Sequence, residues 1–141
     1  MIDPYCMIVE DQVLIGMSLE AYLGDSGFSV AGPFLSCADA LGWLEYNTPK
    51  VAVLDVLLKD GTSLLVAREL KERHTPFVIY SGLPFTPGLP AELQGVPWLE
   101  KPAPREQLTQ TVARLRRADA RTGDFSRAGR SRSSVGFRTG P

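Results

Sequence analysis

The chain has 141 residues, of which 44% are apolar and 22% are charged, and its net charge at pH 7 is −1. This length fits one domain, and no apolar run approaches the roughly 18 residues of a membrane span. Cys6 and Cys37 are too few for a disulfide scaffold or a thiolate zinc site, and His74, the single histidine, excludes a histidine-rich metal site. Residues 1–4 also lack the features of a secretory signal, so we expect a cytoplasmic protein.

The charges are distributed unevenly along the chain. Residues 1–113 carry 7 Lys or Arg and 14 Asp or Glu, whereas residues 114–141 carry 8 Arg and only two acidic residues. The acidic part is typical of a folded domain, and the basic part, rich in Gly and Ser, is typical of a solvated arm. We therefore predict a folded domain over residues 1–121 and a flexible Arg-rich tail over residues 122–141.

Short apolar runs alternate with segments of helical spacing along the folded part. The apolar runs predict strands at residues 5–9, 28–34, 51–54, 77–80 and 98–99. Helices are predicted at residues 13–25, from a cap at 36 or 39 to 47, from a cap at 62 to 73, and from 104 onward. The prolines between residues 83 and 97 leave room only for a short helix near residues 90–94.

This alternation of strand and helix predicts the fold class. Parallel strands need a crossover connection, which is usually a helix, so the pattern favours a parallel sheet covered by helices on both faces. Strands that are buried on both faces are apolar throughout and do not alternate with polar residues. We therefore predict an α/β fold built on a five-stranded parallel sheet.

Polar side chains follow the predicted strands at the points where the strands end. Glu10 and Asp11 follow the first strand, Asp55 the third, Ser81 the fourth and Lys101 the fifth. The carboxyl ends of parallel strands lie at one edge of the sheet, where open α/β folds bind their ligands. We expect these side chains to meet in one crevice.

The chemistry of this set points to phosphoryl transfer. Crowded carboxylates repel one another, and Mg²⁺ relieves that repulsion while keeping several of its own waters. Beside Mg²⁺ and the ammonium of Lys101, Asp55 would stay ionised and could accept a phosphoryl group as an acyl phosphate. The ammonium and the cation would neutralise the phosphoryl oxygens, and the Ser81 hydroxyl could donate a hydrogen bond to one of them.

Together these motifs resemble the receiver domain of bacterial two-component response regulators. The resemblance covers residues 4–117 and rests on Glu10-Asp11, Leu54-Asp55, Ser81-Gly82 and Lys101-Pro102. It implies a flavodoxin-like sheet with strand order 2-1-3-4-5. It also implies that Asp55 accepts a phosphoryl group from a sensor histidine kinase or a phosphotransfer protein.

The resemblance further implies a metal site for Mg²⁺. Asp11 and Asp55 would bind the ion, and Glu10 would support it through water. The backbone carbonyl of Leu57 would complete the site.

The resemblance assigns a signalling role to three further residues. Lys101 would pair with the phosphoryl group, and Ser81 would move toward it. Trp98 occupies the position of the family's switch aromatic, which is usually Tyr or Phe, although it could equally be an ordinary core residue. The domain would itself catalyse only its own phosphorylation and dephosphorylation, so it is not expected to be an enzyme in the usual sense.

Several departures from the family pattern bear on output. The loop after Asp55 reaches Gly61 sooner than is usual and lacks the customary proline. The fourth helix, which belongs to the usual output and dimer face, is interrupted by prolines, so any dimer would use a non-standard face. No output domain follows, so the chain resembles a stand-alone, single-domain regulator. It would signal to a protein target or shuttle phosphate in a phosphorelay.

The lifetime of the phosphoryl group depends on the water that hydrolyses it. Leu57 and Leu83 lie two positions beyond Asp55 and Ser81, where the family's residues influence that water. Both side chains are bulky and apolar, so we expect slow self-dephosphorylation.

Two other functions compete with this interpretation. Asp60-Gly61-Thr62 partly matches the signature of haloacid-dehalogenase phosphatases, but the first aspartate of that signature would fall at Leu58. The alternative function is binding of a nucleic acid or another anionic partner through the Arg-rich tail, because clustered Arg attracts phosphates. No aromatic-rich or helix-turn-helix element accompanies the tail, which favours a solvated arm.

Overall fold

The structure is a computed structural model that describes residues 5–125. Its strands are β1 (Tyr5–Val9), β2 (Ser29–Phe34), β3 (Val51–Leu54), β4 (Leu57–Leu58), β5 (Gly61–Thr62), β6 (Phe77–Ser81) and β7 (Trp98–Glu100). Its helices are α1 (Val13–Asp25), α2 (Cys37–Leu44), α3 (Leu64–Glu72) and α4 (Arg105–Phe125), with a 3-10 helix at Ala91–Leu93. No helix within this part of the chain is long and apolar enough to cross a membrane.

Five of the strands form one parallel sheet in the order β2-β1-β3-β6-β7. Numbering these five strands along the chain gives the order 2-1-3-4-5, so the predicted flavodoxin-like topology is confirmed. The register pairs Val9 with Leu54, which places the residues that follow β1 and β3 side by side. The strands most central in the sheet are buried along their whole length because helices cover both faces.

The two faces of the sheet carry separate hydrophobic cores. Alternate residues of a strand point to opposite faces. Met7 and Val9 accordingly pack with side chains of α2 and α3. Cys6 and Ile8 pack on the other face with side chains of α1 and α4. Each fully buried aliphatic side chain contributes about 1.5–3 kcal/mol, so these two cores hold the helices on the sheet.

Some predicted boundaries differ from those observed. Helix α4 continues to Phe125, beyond residue 121, where the sequence placed the end of the domain. The remainder of the predicted tail, residues 126–141, lies outside the described residues. Helix α3 begins after Ser63 and not after Thr62, because Thr62 pairs with Leu57 in the β4–β5 hairpin. The expected short helix near residues 90–94 is the 3-10 helix Ala91–Leu93.

Candidate functional site

Three carboxylates gather where β1 and β3 end. Glu10 and Asp11 follow β1, and Asp55 follows β3, where its backbone N–H donates to the carbonyl of Val9 at 3.0 Å. One carboxylate oxygen from each of these three acids lies within 4.8 Å of the other two. The predicted convergence of acidic side chains at this edge of the sheet is therefore observed.

The ammonium of Lys101 lies between two of these acids. Its Nζ is 2.8 Å from Glu10 Oε1 and 2.9 Å from Asp55 Oδ2. Burial lowers the pKa of Lys101, but the hydrogen bonds that it donates to Glu10 and Asp55 outweigh this effect, so the pKa rises above its ordinary value of 10.5. Lys101 therefore stays protonated and balances part of the acidic charge.

Glu10 is the most enclosed of the three acids, with only 1% of its surface exposed. Its Oε1 pairs with Lys101, and its Oε2 accepts the backbone N–H of Gln12 at 3.0 Å. Burial raises the pKa of Glu10, although both hydrogen bonds act in the opposite direction. Because both of its oxygens already have partners, Glu10 is suited to a supporting position beside a cation.

Asp55 is held by its neighbours at several atoms. Its Oδ1 accepts the backbone N–H of Val56 at 2.7 Å, and its Oδ2 accepts from Lys101. The hydroxyl of Ser63 donates to the backbone carbonyl of Asp55 at 2.6 Å. Sequence reasoning did not identify this role for Ser63, which is buried and occupies the N-cap position of α3 without a side-chain capping bond. The signal in the sequence is the Thr-Ser pair before an apolar run, from which the cap is predicted at Thr62.

The loop after Asp55 is a short hairpin that the sequence did not predict. Strands β4 and β5 pair antiparallel across a two-residue turn, Lys59-Asp60. The Asp60 carboxylate accepts the backbone N–H groups of Cys37 and Ala38, at 2.9 and 3.1 Å. Asp60 therefore caps α2 and is not part of the carboxylate cluster around Asp55.

The predicted switch residues are linked through the backbone of Leu83. Ser81 is buried at the end of β6, and its Oγ accepts the Leu83 N–H at 3.1 Å. The indole Nε1 of Trp98 donates to the Leu83 carbonyl at 2.9 Å, and Phe85 contacts the indole edge-on. Lys101 joins the same group, since its backbone N–H donates to the Ser81 carbonyl at 2.8 Å. Trp98 also packs partly against the core, so its two predicted roles are structurally compatible.

Two apolar side chains stand exposed on the loops that flank the site. Leu57 on β4 is 52% exposed, and Leu83 after β6 is 43% exposed.

The amide oxygen of Gln12 lies 3.4 Å from Lys101 Nζ. Sequence reasoning did not single out Gln12, and its position next to Asp11 was the only signal.

The donor set fits Mg²⁺. Hard divalent cations prefer oxygen ligands, and Mg²⁺ binds with one or two carboxylates while it keeps waters. The cluster offers three carboxylates, and Lys101 leaves Asp11 and one oxygen of Asp55 without an ammonium partner. Leu57, the predicted source of a backbone carbonyl, lies two residues beyond Asp55 at the start of the hairpin.

Comparisons with known proteins give similarity in structure but not in sequence. No protein-family model matches the chain, and no curated protein sequence matches it. A response regulator receiver protein from Sinorhizobium medicae WSM419 is 26% identical, with a TM-score of 0.72, covering 83% of this chain and 97% of its own. The signal receiver domain of a putative Luxo repressor protein from Vibrio parahaemolyticus is 21% identical, with a TM-score of 0.75, covering 88% and 97%.

A third solved structure agrees with these two. The CheY-like response regulator receiver domain from Methylobacillus flagellatus is 24% identical, with a TM-score of 0.67, and the match covers 81% of this chain and 99% of that one. The similarity extends over most of the chain in each case. The resemblance to receiver domains that the sequence predicted is therefore confirmed at the level of the fold.

Proposed function

We propose that this protein is a response regulator receiver domain that accepts a phosphoryl group on Asp55. The observation that carries the proposal is the position of the Lys101 ammonium, within 2.9 Å of both Asp55 and Glu10, in a cluster of three carboxylates. A buried amine beside an ionised carboxylate supplies the positive charge that a transferred phosphoryl group requires. The position of this cluster at the carboxyl ends of β1 and β3, in a chain whose fold is similar to receiver domains, supports the proposal.

Mg²⁺ is the proposed cofactor. Asp11 and Asp55 would bind the ion, the Leu57 carbonyl would add a ligand, and Glu10 would act through a bound water. When bound, Mg²⁺ would neutralise negative charge on the phosphoryl oxygens. The engagement of both Glu10 oxygens by Lys101 and Gln12 supports the indirect role for Glu10.

The proposed reaction transfers one phosphoryl group between two protein side chains. A carboxylate oxygen of Asp55 attacks the phosphorus atom, and the bond from phosphorus to the donor's histidine nitrogen breaks as the new bond forms. Lys101 would transfer its ion pair from the Asp55 carboxylate to the phosphoryl oxygens. The Ser81 hydroxyl would donate a hydrogen bond to one of these oxygens. The donor would be a sensor histidine kinase or a phosphotransfer protein, which makes a cytoplasmic location part of the same proposal.

The signal would leave the site through Ser81 and Trp98. The Ser81 hydroxyl oxygen holds the Leu83 N–H, and the Trp98 indole holds the Leu83 carbonyl. A movement of Ser81 toward a phosphoryl group would therefore disturb Leu83, the residue that Trp98 also binds. The downstream recipient would be a protein target, or a further phosphotransfer protein in a phosphorelay.

The test is Mg²⁺-dependent labelling by a small-molecule phosphodonor such as acetyl phosphate. Intact-mass spectrometry of the full chain should show the mass of one added phosphoryl group in the presence of Mg²⁺ and none after chelation. Asp55→Asn should remove the labelling and leave the circular dichroism spectrum unchanged.

Asp25→Asn provides a control, because it alters an aspartate that pairs with Arg105 and lies outside the carboxylate cluster. It should still be labelled when Mg²⁺ is saturating. Labelling that persists in Asp55→Asn would show that the acceptor is another residue. Labelling to the same extent with and without Mg²⁺ would show that the reaction does not need the metal.

A further inference from the structure

The tip of the β4–β5 hairpin is attached to a different part of the molecule. Asp60 accepts hydrogen bonds from the backbone N–H groups of Cys37 and Ala38, which open α2. Hydrogen bonds to an ionised carboxylate are stronger than those between neutral groups. These two bonds lower the pKa of Asp60, so it stays charged at neutral pH. The contact is specific, because each carboxylate oxygen has its own amide.

The base of the same hairpin is attached to the acceptor. The Ser63 hydroxyl donates to the Asp55 carbonyl, and the Ser63 N–H donates to the Val56 carbonyl at 2.9 Å. Between base and tip, the side chain of Leu58 is buried in the core shared with α2 and α3. Asp60 is therefore the outermost of three attachments that hold this eight-residue loop.

We infer that Asp60 is a positioning residue for the metal site, because its hold on α2 fixes the hairpin segment that carries Leu57. This inference rests on the proposed function, which assigns the Leu57 carbonyl to Mg²⁺. Leu57 lies between the base and the tip and has an exposed side chain, so core packing does not hold it directly. Its backbone is held by its pairing with Thr62, by the burial of its neighbour Leu58, and by the hydrogen bonds of Asp60 at the turn beyond. Groups that orient a ligand from outside the metal's own shell affect affinity strongly.

A purely structural role for Asp60, as the cap of α2, makes a different prediction. The same helix end has a second cap, because the Ser36 hydroxyl oxygen accepts the Asp39 N–H at 3.0 Å. Ser36 and Asp60 both stabilise the start of α2, but only Asp60 belongs to the hairpin. Removing the Ser36 hydroxyl therefore weakens the helix end without releasing the loop, which makes Ser36→Ala a matched control.

The experiment compares Mg²⁺ binding by variants of the full chain in a Trp43→Phe background, where Trp98 fluorescence reports on the site. The variants are Asp60→Ala, Asp60→Asn and Ser36→Ala, measured at a temperature at which circular dichroism shows each to be folded. Asp60→Ala should raise the Mg²⁺ dissociation constant by about tenfold. Asp60→Asn keeps one carbonyl oxygen as an acceptor and should lie between it and the parent. Ser36→Ala should match the parent.

Each result supports or overturns a distinct claim. Equal dissociation constants for the parent, Asp60→Ala and Ser36→Ala would overturn the positioning role while leaving the proposed function in place. Equal increases in Asp60→Ala and Ser36→Ala would assign the effect to α2 and also overturn it. A parent that shows no response to Mg²⁺ by fluorescence or calorimetry would overturn the proposed function, and this inference with it. If Asp60→Ala does not fold, Asp60→Asn decides the question by the same comparison.

Discussion

The two loops that flank Asp55 are held in different ways. The loop over residues 56–63 is short, pairs with itself, and is attached to the core, to Asp55 and to α2. The connection over residues 82–97 is longer and mostly exposed. It reaches the core through Leu93, and near the site the N–H and the carbonyl of Leu83 bind Ser81 and Trp98. The hairpin is thus held at several points close to Asp55, whereas the longer connection is held near the site mainly through one residue.

This difference suggests a division of labour. A metal ion would need ligands that are held in place, and the hairpin that carries Leu57 is held in this way. A switch needs an element with two accessible arrangements, and such elements are found among the least stable parts of a fold. The connection after β6 is attached away from the site by Leu93 in the core and by the Arg68–Glu92 ion pair, and beside the site its hydrogen bonds converge on Leu83. Lys101 joins the two sides, because its side chain reaches Asp55 while its backbone binds Ser81.

The largest expected effect comes from breaking this junction. Lys101→Met removes the ammonium shared by Glu10 and Asp55 and leaves their carboxylates close together without it. Removing one partner of a buried pair is strongly destabilising, and we expect a loss of about 3 kcal/mol at neutral pH. Urea unfolding measures it. The exposed Lys59 gives the control, because Lys59→Met should change stability little, and equal losses would contradict the prediction.

The same junction predicts a dependence on alkaline pH. The folded protein holds the Lys101 proton more tightly than the unfolded chain, because the pKa is raised above 10.5. Its contribution to stability is therefore complete below that pH and is lost as the pH rises through the higher pKa of the folded state. Arginine does not titrate in this range. Urea unfolding across the alkaline range should show a smaller loss in Lys101→Arg than in wild type, and parallel curves would contradict this.

Two buried serines test the contrast between the loops directly, since each is 1% exposed. Ser63→Ala removes a buried hydrogen bond to the Asp55 carbonyl and should cost about 2 kcal/mol of unfolding free energy. Ser81→Ala removes a bond to the Leu83 N–H, which water can replace on an exposed segment, and should cost less than about 1 kcal/mol. Equal losses in urea unfolding would show that the two loops are held equally.

Leu57 and Leu83 place one apolar side chain on each loop beside the site. We expect the phosphorylated protein to be long-lived, with Leu57→Asn and Leu83→Glu each shortening the lifetime by about tenfold, or ~1.4 kcal/mol of barrier. Polar groups at these positions could orient the attacking water. The decay of the phosphorylated mass measures the lifetime, with Leu65→Asn on α3 as a control of similar exposure. A short lifetime that neither substitution changes would reject the prediction.

The smallest effect is expected from Trp98→Phe. It removes the indole N–H that binds the Leu83 carbonyl but keeps an aromatic ring, so stability should fall by less than about 1 kcal/mol. Amide hydrogen exchange should nevertheless become faster in residues 82–90 and stay unchanged in residues 56–63. Faster exchange in both loops would show that they are not independent.

The sequence predicted those features that have a local pattern. Apolar runs of two to seven residues predicted the five strands of the main sheet, and the polar residues at their ends predicted that Glu10, Asp55 and Lys101 would meet. The register of β1 and β3 places the residues after these two strands side by side, and Lys101 reaches their carboxylates from the end of β7. The strand order was implied by the family resemblance, and the structure confirms it.

The features that the sequence did not predict lack such a pattern. Strands β4 and β5 have two residues each, which is too short for any periodic signal. The hydrogen bond from the Cys37 N–H to the Asp60 carboxylate joins residues that are 23 positions apart. It exists only because the folded sheet brings the hairpin to α2. Ser63 and Gln12 likewise have roles that depend on a partner elsewhere in the chain. Ser63 binds Asp55, eight residues before it, and Gln12 lies beside Lys101, 89 residues after it.

The attachment of Glu10 has a consequence for the surface of the molecule. The ammonium of Lys101 is shared between Glu10 and Asp55. Glu10 also accepts the backbone N–H of Gln12, the residue that precedes α1. The first two turns of that helix expose Val13, Leu14 and Met17 to solvent. The shared amine is thus connected, through Glu10 and one amide, to an apolar patch on the surface of the molecule.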